Sequence, residues 1–359
     1  MKYEKEFPLL STKVPGATKK FDLSDPSERK EYFEAKAGED IAKLKRFFNE
    51  GKTFIAYFLG KKNAGKGTYT KLLMEIFGKD KIGHISVGDV VRDVHAAMEN
   101  EEEKKKLLEY LHKNYRGYIT PEEAIAALLS RDQKTLLPNE FTLALIKREI
   151  DQMDRKALFL DGFPRNLDQV SYSLFFKELI AYREDPDIFI AIDIPEAVID
   201  ERMKYRVVCP ICHTPRNLKL LATKYVGYEE GKKEFYLMCD NPECGQARMV
   251  AKEGDSLGIE SIRDRVALDD KLIEKIFSLH GIKRILARNA VPVEKAAEFT
   301  DDYELTPEYY YEYDEKAKTI KTLERPFTVK DDEGVEVYSL LAPPVVLSLI
   351  KHLVKTLKL

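Results

Sequence analysis

The sequence predicts an α/β protein of three layers, with helices covering both faces of a central five-stranded parallel sheet. Two observations carry this. Short apolar runs recur at TFIAYFL (53–59), IGHIS (82–86), ALFLD (157–161), IFIAID (188–193) and VEVYSL (335–340), with helical patterns between them. The first of these runs leads straight into a turn rich in glycine and lysine, GKKNAGKGT, which opens a helix. At 359 residues, 44% of them hydrophobic, the chain is long enough to bury a substantial core.

In chain order, residues 1–50 form an N-terminal extension ahead of residues 51–359, which hold all five runs. Within the extension, Asp25 followed by Pro26 predicts a helix start and a charged helix to about Glu50. Between the second and third runs lie about seventy residues without strand signal, including EEEKKKLLEYLHKNY and the capping box of Thr120 and Glu123; they predict a helical insert over 87–145. A second insert, 207–256, holds all four cysteines. A third, 287–332, is rich in tyrosine and acid (YELTPEYYYEYDEK) and is expected to pack its rings on the protein surface.

Function classes narrow with charge. Lys and Arg number 59 against 62 Asp and Glu, a net charge of -3, so bulk electrostatics favours neither nucleic acid nor an anionic membrane, and any anion binding is local. The N-terminus MKYEKEFPLL has no apolar core of signal-peptide length, and the expectation is a cytoplasmic protein whose cysteines are thiols or metal ligands.

The glycine-rich turn asks for phosphate. Gly60, Gly65 and Gly67 let backbone N–H groups approach phosphate oxygens, the helix opening near Lys66 points its positive end at them, and Lys66 reaches the terminal phosphates. Gly67 stands where many such loops place a hydroxyl on magnesium, so Mg2+ is expected to be held by phosphates and water, with carboxylates behind. Such carboxylates follow at strand ends, where ligands bind in open α/β sheets: Asp89 and Arg92 in HISVGDVVRD, Asp161 and Arg165 in LFLDGFPRNLDQ.

Gly-Lys-Gly-Thr (65–68), Ser-Val-Gly-Asp-Val-Val-Arg (86–92) and Asp-Gly-Phe-Pro-Arg (161–165) occur in the order seen in the adenylate kinase family of nucleoside monophosphate kinases, which the chain resembles over about residues 53–286 and its last strand and helix. IAIDIPEAVIDERMKYR resembles the family's fourth strand and a helix ending in two arginines, Arg202 and Arg206, and IESIRDRVALDD the helix leaving its lid, with Arg265. The resemblance implies a P-loop nucleoside triphosphate hydrolase-like fold and transfer of phosphate from ATP to AMP, giving two ADP, in a monomer. It also implies residue roles. Gly65, Lys66, Gly67 and Thr68 bind ATP phosphates; Gly88, Arg92, Gly162 and Arg165 hold the monophosphate; Asp89 and Asp161 orient the magnesium water shell. Arg202 faces ATP, while Arg206 and Arg265 face the transferring group.

Gln169, four residues after Arg165, is where adenylate kinases place a glutamine that pairs with adenine, and Leu137 is expected to wall the base. Val87 stands where AMP kinases carry a threonine, which keeps UMP and CMP as alternatives. From another functional class, a nucleotide-sensing binding module would use the loop alone. In the second insert, Cys209 and Cys212 (CPICH) with Cys239 and Cys244 (CDNPEC) predict a structural four-sulfur zinc in a zinc-ribbon-like lid, with His213 a lesser candidate ligand. After the last cysteine the family has Arg-x-Asp-Asp; here the stretch reads ARMVAKEGDSLG, with Lys252 nearest the expected arginine, Arg248 an alternative, and Arg263 able to exchange roles with Arg265.

Overall fold

The computed structural model describes residues 7–130, 138–252 and 254–359. Helix α1 (Pro26–Asn49) precedes β1 (Ile55–Leu59), α2 (Lys66–Phe77) and β2 (Ile82–Ser86). Four helices follow, α3 (Val87–Met98), α4 (Glu101–Asn114), α5 (Pro121–Ser130) and α6 (Asn139–Asp151), and then β3 (Ala157–Asp161), α7 (Leu167–Leu179), β4 (Asp187–Asp193) and α8 (Glu196–Lys204). The cysteine-bearing segment is made of short strands, β5 (Arg206–Val208), β6 (Pro215–Asn217), β7 (Tyr225–Glu229), β8 (Glu234–Met238) and β9 (Val250–Ala251). The chain returns through α9 (Arg263–Phe277) and β10 (Lys283–Arg288), passes β11 (Val291–Pro292), α10 (Val293–Phe299), β12 (Pro307–Asp314), β13 (Thr319–Pro326), β14 (Thr328–Lys330) and β15 (Glu336–Tyr338), and ends in α11 (Ala342–Leu357).

The five-stranded parallel sheet has the order β10-β4-β1-β3-β2. All five residues of β1 are buried because alternate side chains serve opposite cores. Phe54, Ala56 and Phe58 pack with α1, α2 and α11; Ile55, Tyr57 and Leu59 pack with α3, α6, α7 and α9. Since β1 lies between β3 and β4, its carboxyl end opens at the point where the chain's winding reverses, and a crevice forms there.

One expected strand is corrected. VEVYSL (335–340) supplies β15, which pairs antiparallel with β11 and β14 outside the main sheet. The fifth parallel strand is β10, at an edge beside β4, burying Ile285 and Ala287 while Lys283 and Arg284 face water. The local start signals are present: the Asp25 side chain accepts from the N–H groups of Ser27 and Glu28, and Thr120 and Glu123 bond each other's backbone N–H.

The tyrosine-rich hairpin β12–β13 packs its rings on the cysteine-bearing segment. Tyr313 stacks on Tyr228 with ring centroids 4.2 Å apart, Tyr311 packs on Phe235, and the Tyr311 hydroxyl donates to the Leu218 carbonyl at 2.7 Å. Beyond the hairpin, the turn after β14 reaches the glycine loop. Asp332 pairs with the buried Lys61 amine at 3.1 Å and accepts from the Glu196 N–H at 2.9 Å, while Asp331 pairs with Arg288 at 2.8 Å. The N-terminal extension is tied to the same segment: fully buried Glu304 accepts from Thr12 Oγ1 at 2.5 Å, Tyr32 Oη at 2.6 Å and Lys36 Nζ at 2.8 Å.

Candidate active site

Each strand end supplies a piece of the crevice. After β1 the backbone turns at Gly60, where φ is +145° and a Cβ would lie 2.7 Å from the Ile192 carbonyl oxygen, so only glycine fits. The loop then enters α2 through Gly65, placing Lys66 at the helix start. Its amine lies 2.9 Å from the Gly60 carbonyl, 3.3 Å from the Lys61 carbonyl and 3.6 Å from Asp161 Oδ1. Asp161 is the last residue of β3 and pairs in register with Phe58 and Ser86, which brings the three strand ends together.

Asp161-Gly162-Phe163-Pro164-Arg165 folds back over the sheet edge with a cis Phe163–Pro164 bond. Gly162 has φ +81°, and a Cβ there would approach the Arg165 guanidinium to 3.0 Å, so a larger residue would displace Arg165. Helix α9 contributes Arg265, paired with Asp269 one turn on at 2.8 Å. The result is a cavity of about 360 Å³ lined by Lys62, Lys66, Arg165 and Arg265 against the carboxylates Asp161 and Asp269. Burial and the facing Arg265 pull Arg165 below the ordinary arginine range, against Asp161 and Asp269, and its Nε has no hydrogen-bond partner. Burial pushes Asp269 up, against Arg265 and Lys66. With four cations against two carboxylates, the cavity suits an anionic occupant.

Gly60, Lys66, Asp161, Gly162, Arg165 and Arg265 therefore line one space. Gly65 caps α2, Gly67 and Thr68 form its first turn, and the Thr68 N–H bonds the Gly65 carbonyl at 2.9 Å. Gly88 sits between two arginines, since a Cβ there would lie 3.7 Å from Arg92 and 4.0 Å from Arg165. Arg92 itself pairs with Asp89 and is 71% exposed. Arg202 and Arg206 lie behind the loop: the former donates to the Asn63 carbonyl at 3.4 Å, the latter to Asn63 Oδ1 at 3.2 Å and to Asp255 Oδ1 at 2.7 Å. Lys252 stands beside this pair, its pKa lowered by burial and by Arg206.

Some alternatives are sorted by position. Arg248 pairs with Glu229 and stacks on Tyr236, and Arg263 pairs with Glu196, so neither lines the cavity. Gln169, expected to read a base, is buried with its amide engaged: Oε1 accepts from the Arg165 N–H at 2.7 Å and Nε2 donates to Asn139 Oδ1 at 3.0 Å. Leu137 lies outside the described residues. Among the charged and amide side chains of the cavity, three escaped the sequence reading, Lys62, Asn63 and Asp269. Asp269 stands four residues after Arg265, a helical spacing that could have flagged it, whereas Asn63 sits at a variable loop position with no such signal.

The cysteine segment passes a test of fit for zinc. The Sγ atoms of Cys209, Cys212, Cys239 and Cys244 lie within 4.8 Å of one another, with Cys212 and Cys239 3.6 Å apart. A tetrahedral four-sulfur zinc has sulfur edges of about 3.8 Å. Four sulfur donors suit a structural ion, and His213 is not part of the group. Among the described residues no helix is long and apolar enough to cross a membrane.

Comparison with known proteins agrees with this geometry. A family model described as AAA domain matches residues 59–207. Adenylate kinase of Thermotoga maritima is 31% identical over 232 residues, covering 64% of this chain and 87% of that protein. Adenylate kinase of Clostridium acetobutylicum is 30% identical over 229 residues, again covering 64% and 87%, and that of Thermotoga neapolitana is 29% identical over 232 residues, with the same coverage. With a glycine-lysine loop at the carboxyl edge of a parallel sheet, two arginines on one cavity, a four-cysteine segment between α8 and α9, and relatives matched over most of their length, the chain belongs to the adenylate kinase family of nucleoside monophosphate kinases.

Proposed function

We propose that this kinase transfers phosphate reversibly from ATP to AMP, with magnesium, to give two ADP. The observation that carries the reading is the convergence of Lys66, Arg165 and Arg265 on one cavity. Phosphoryl transfer leaves a protein little covalent work, so catalysis comes from alignment and from cations where charge on the phosphate oxygens sits. No general base is required.

In this reading the backbone of Gly65, Gly67 and Thr68 and the Lys66 amine hold the ATP phosphates, and Lys66 exchanges the carbonyls of Gly60 and Lys61 for phosphate oxygens. Arg92 and Arg165, beside Gly88 and Gly162, hold the monophosphate. Arg265 neutralises the transferring group and Arg206 joins it from the lid base, while Arg202 and Lys252 act toward ATP. Magnesium, held by phosphates and water that Asp89 and Asp161 orient, supplies further charge neutralisation. Zinc on the four cysteines fixes the lid's shape and leaves no position open to substrate. The helical segment 87–145 and the lid 207–256 serve as two arms whose closure keeps water from the phosphoryl group.

AMP as acceptor is supported by the relatives' names. UMP or CMP is the second reading, because the Gln169 amide is engaged by Asn139 and the Arg165 N–H and is not turned to a base, and because Val87 offers no polar contact where a threonine would. The deciding assay is ADP formation from MgATP with AMP, GMP, UMP or CMP, and with ATP alone. Turnover far higher with AMP supports the reading, and higher turnover with a pyrimidine transfers it to that base. ATP binding without turnover on any acceptor overturns it in favour of a nucleotide-sensing module. Lys66→Ala is expected to lower turnover by about 100-fold or more at an unchanged melting temperature.

A further inference from the structure

Asn63, in the glycine loop, is held by the two arginines behind it. Its backbone sits in the left-handed region at φ +68°, a conformation asparagine tolerates better than most residues. Its carbonyl accepts from Arg202 at 3.4 Å, and its Oδ1 accepts from Arg206 Nη1 at 3.2 Å. That second bond sets the amide's orientation, because a guanidinium only donates and the nitrogen end of the amide cannot accept from it. The nitrogen end, Nδ2, is buried and has no partner, although Asn63 lines the cavity. Arg165 Nε is likewise buried without a partner and lines the same cavity. Buried donors are nearly always satisfied, so two orphans on one anion-suited cavity mark places where an occupant accepts.

We infer that Asn63 is a phosphate-binding residue: its Nδ2 donates to an oxygen of the nucleotide's phosphate chain, while its Oδ1 links that contact to Arg206 at the base of the lid. The inference rests on the reading of the cavity as a phosphate site and adds to it a side chain that neither the loop spacing nor the relatives assign. The loop then grips phosphate with a side-chain amide as well as with backbone N–H groups and Lys66. Because the same amide is held by Arg206, a shift of that arginine on lid closure is felt at the phosphate through one side chain.

Two variants separate this role from mere support of the loop. Asn63→Gly keeps the left-handed backbone without strain and removes the amide. Asn63→Asp keeps the size and the acceptor for Arg206, and replaces the donor by a negative oxygen facing phosphate. Binding of inorganic tripolyphosphate, measured by titration calorimetry on the full chain, is expected to weaken about 10- to 100-fold in Asn63→Gly, as for a lost hydrogen bond to a charged group. Asn63→Asp is expected to bind more weakly still, with an unliganded melting temperature no lower than that of the native protein. If Asn63→Asp binds tripolyphosphate as tightly as the native chain, Asn63 only braces Arg206 and the inference is overturned. Native-like binding by Asn63→Gly, or no binding by the native protein, overturns it equally. No monophosphate or turnover enters the measurement, so an absence of ADP formation in the assay above would remove the proposed reaction without deciding this one.

Discussion

The helical segment α3–α6 and the cysteine-bearing segment β5–β9 are built in opposite ways. On one side, α3–α6 bury Val90, Val94, Leu107, Leu111, Ile125, Phe141 and Ile146 in the same core that holds Tyr57 of β1 and Phe189 of β4. On the other, the lid's own interior is Cys209, Leu237, Cys239, Cys244 and Met249, five residues of which three are cysteines. So small an apolar interior cannot offset the entropy of ordering some fifty residues. The cysteine-bearing segment relies on the four-sulfur cluster inside and the tyrosine hairpin outside, whereas the helical segment is an extension of the sheet's core.

The largest test of that difference is Cys239→Ser. Structural zinc contributes on the order of 10 kcal/mol to the folding of the small units that depend on it. Bound zinc is expected to fall from one ion per chain to none, with amide exchange accelerating across β5–β9 and protection in α3–α6 retained; an equally protected lid in the variant would erase the distinction. Next comes Phe141→Ala in the other arm, where a fully buried ring packs edge-on against Tyr115 at 5.7 Å. A loss of about 3–5 kcal/mol is expected, read as one lowered melting transition for arm and sheet together. A separate early transition of α3–α6 would show that the helical arm, too, stands alone.

Tyr313→Ala removes the stack on Tyr228 and the hydroxyl bond to Glu230. About 1 kcal/mol is at stake, and faster exchange confined to β7 and β8 is the expected signature; unchanged exchange there would mean that the hairpin rests on the lid without bracing it.

The smallest effect concerns Asp270, at the middle of α9. Burial, with Glu196, Asp193 and Asp332 nearby, raises Asp270 from the ordinary aspartate value to about 6, against the opposing pull of Lys61. A carboxyl that binds its proton more tightly when folded favours the fold in acid and loses that contribution as pH rises through about 6. Asp270→Asn is therefore expected to raise the melting temperature at pH 7 by a degree or two, a gain that shrinks as pH falls from 6 toward 4. A gain independent of pH would show that the carboxyl's charge is not what burdens the packing of α9.

Much of the site was legible because its chemistry is local. The loop at Gly60–Thr68 and the Asp161–Arg165 turn each declare themselves within a few residues of a strand end, and the topology then brings them together. What escaped depends on distant partners. VEVYSL alternates and carries β-branched residues, so its strand character was plain, but which sheet a strand joins is set by topology; β10, with Lys283 and Arg284 at an edge, carries a weaker signal for the place it takes. Gln169 is engaged by Asn139 from another helix, and Tyr313 by Tyr228 from the lid, pairings with no local trace. Asn63 was hidden because a loop pattern records its glycines and lysine and leaves the residues between them free.

Glu304 has a consequence for how this chain was assembled. Three of the donors that satisfy its buried carboxylate come from residues before the kinase core, Thr12, Tyr32 and Lys36, while the acid itself belongs to the late segment between β10 and α11. A buried charge stripped of its partners costs about 3–5 kcal/mol, a large part of a domain's whole stability. A descendant that shed the first fifty residues would be burdened by the late segment it kept, unless position 304 changed as well. The two segments thus stand or fall together, and a chain that keeps the late segment without the first fifty residues is expected to need an uncharged residue in place of Glu304.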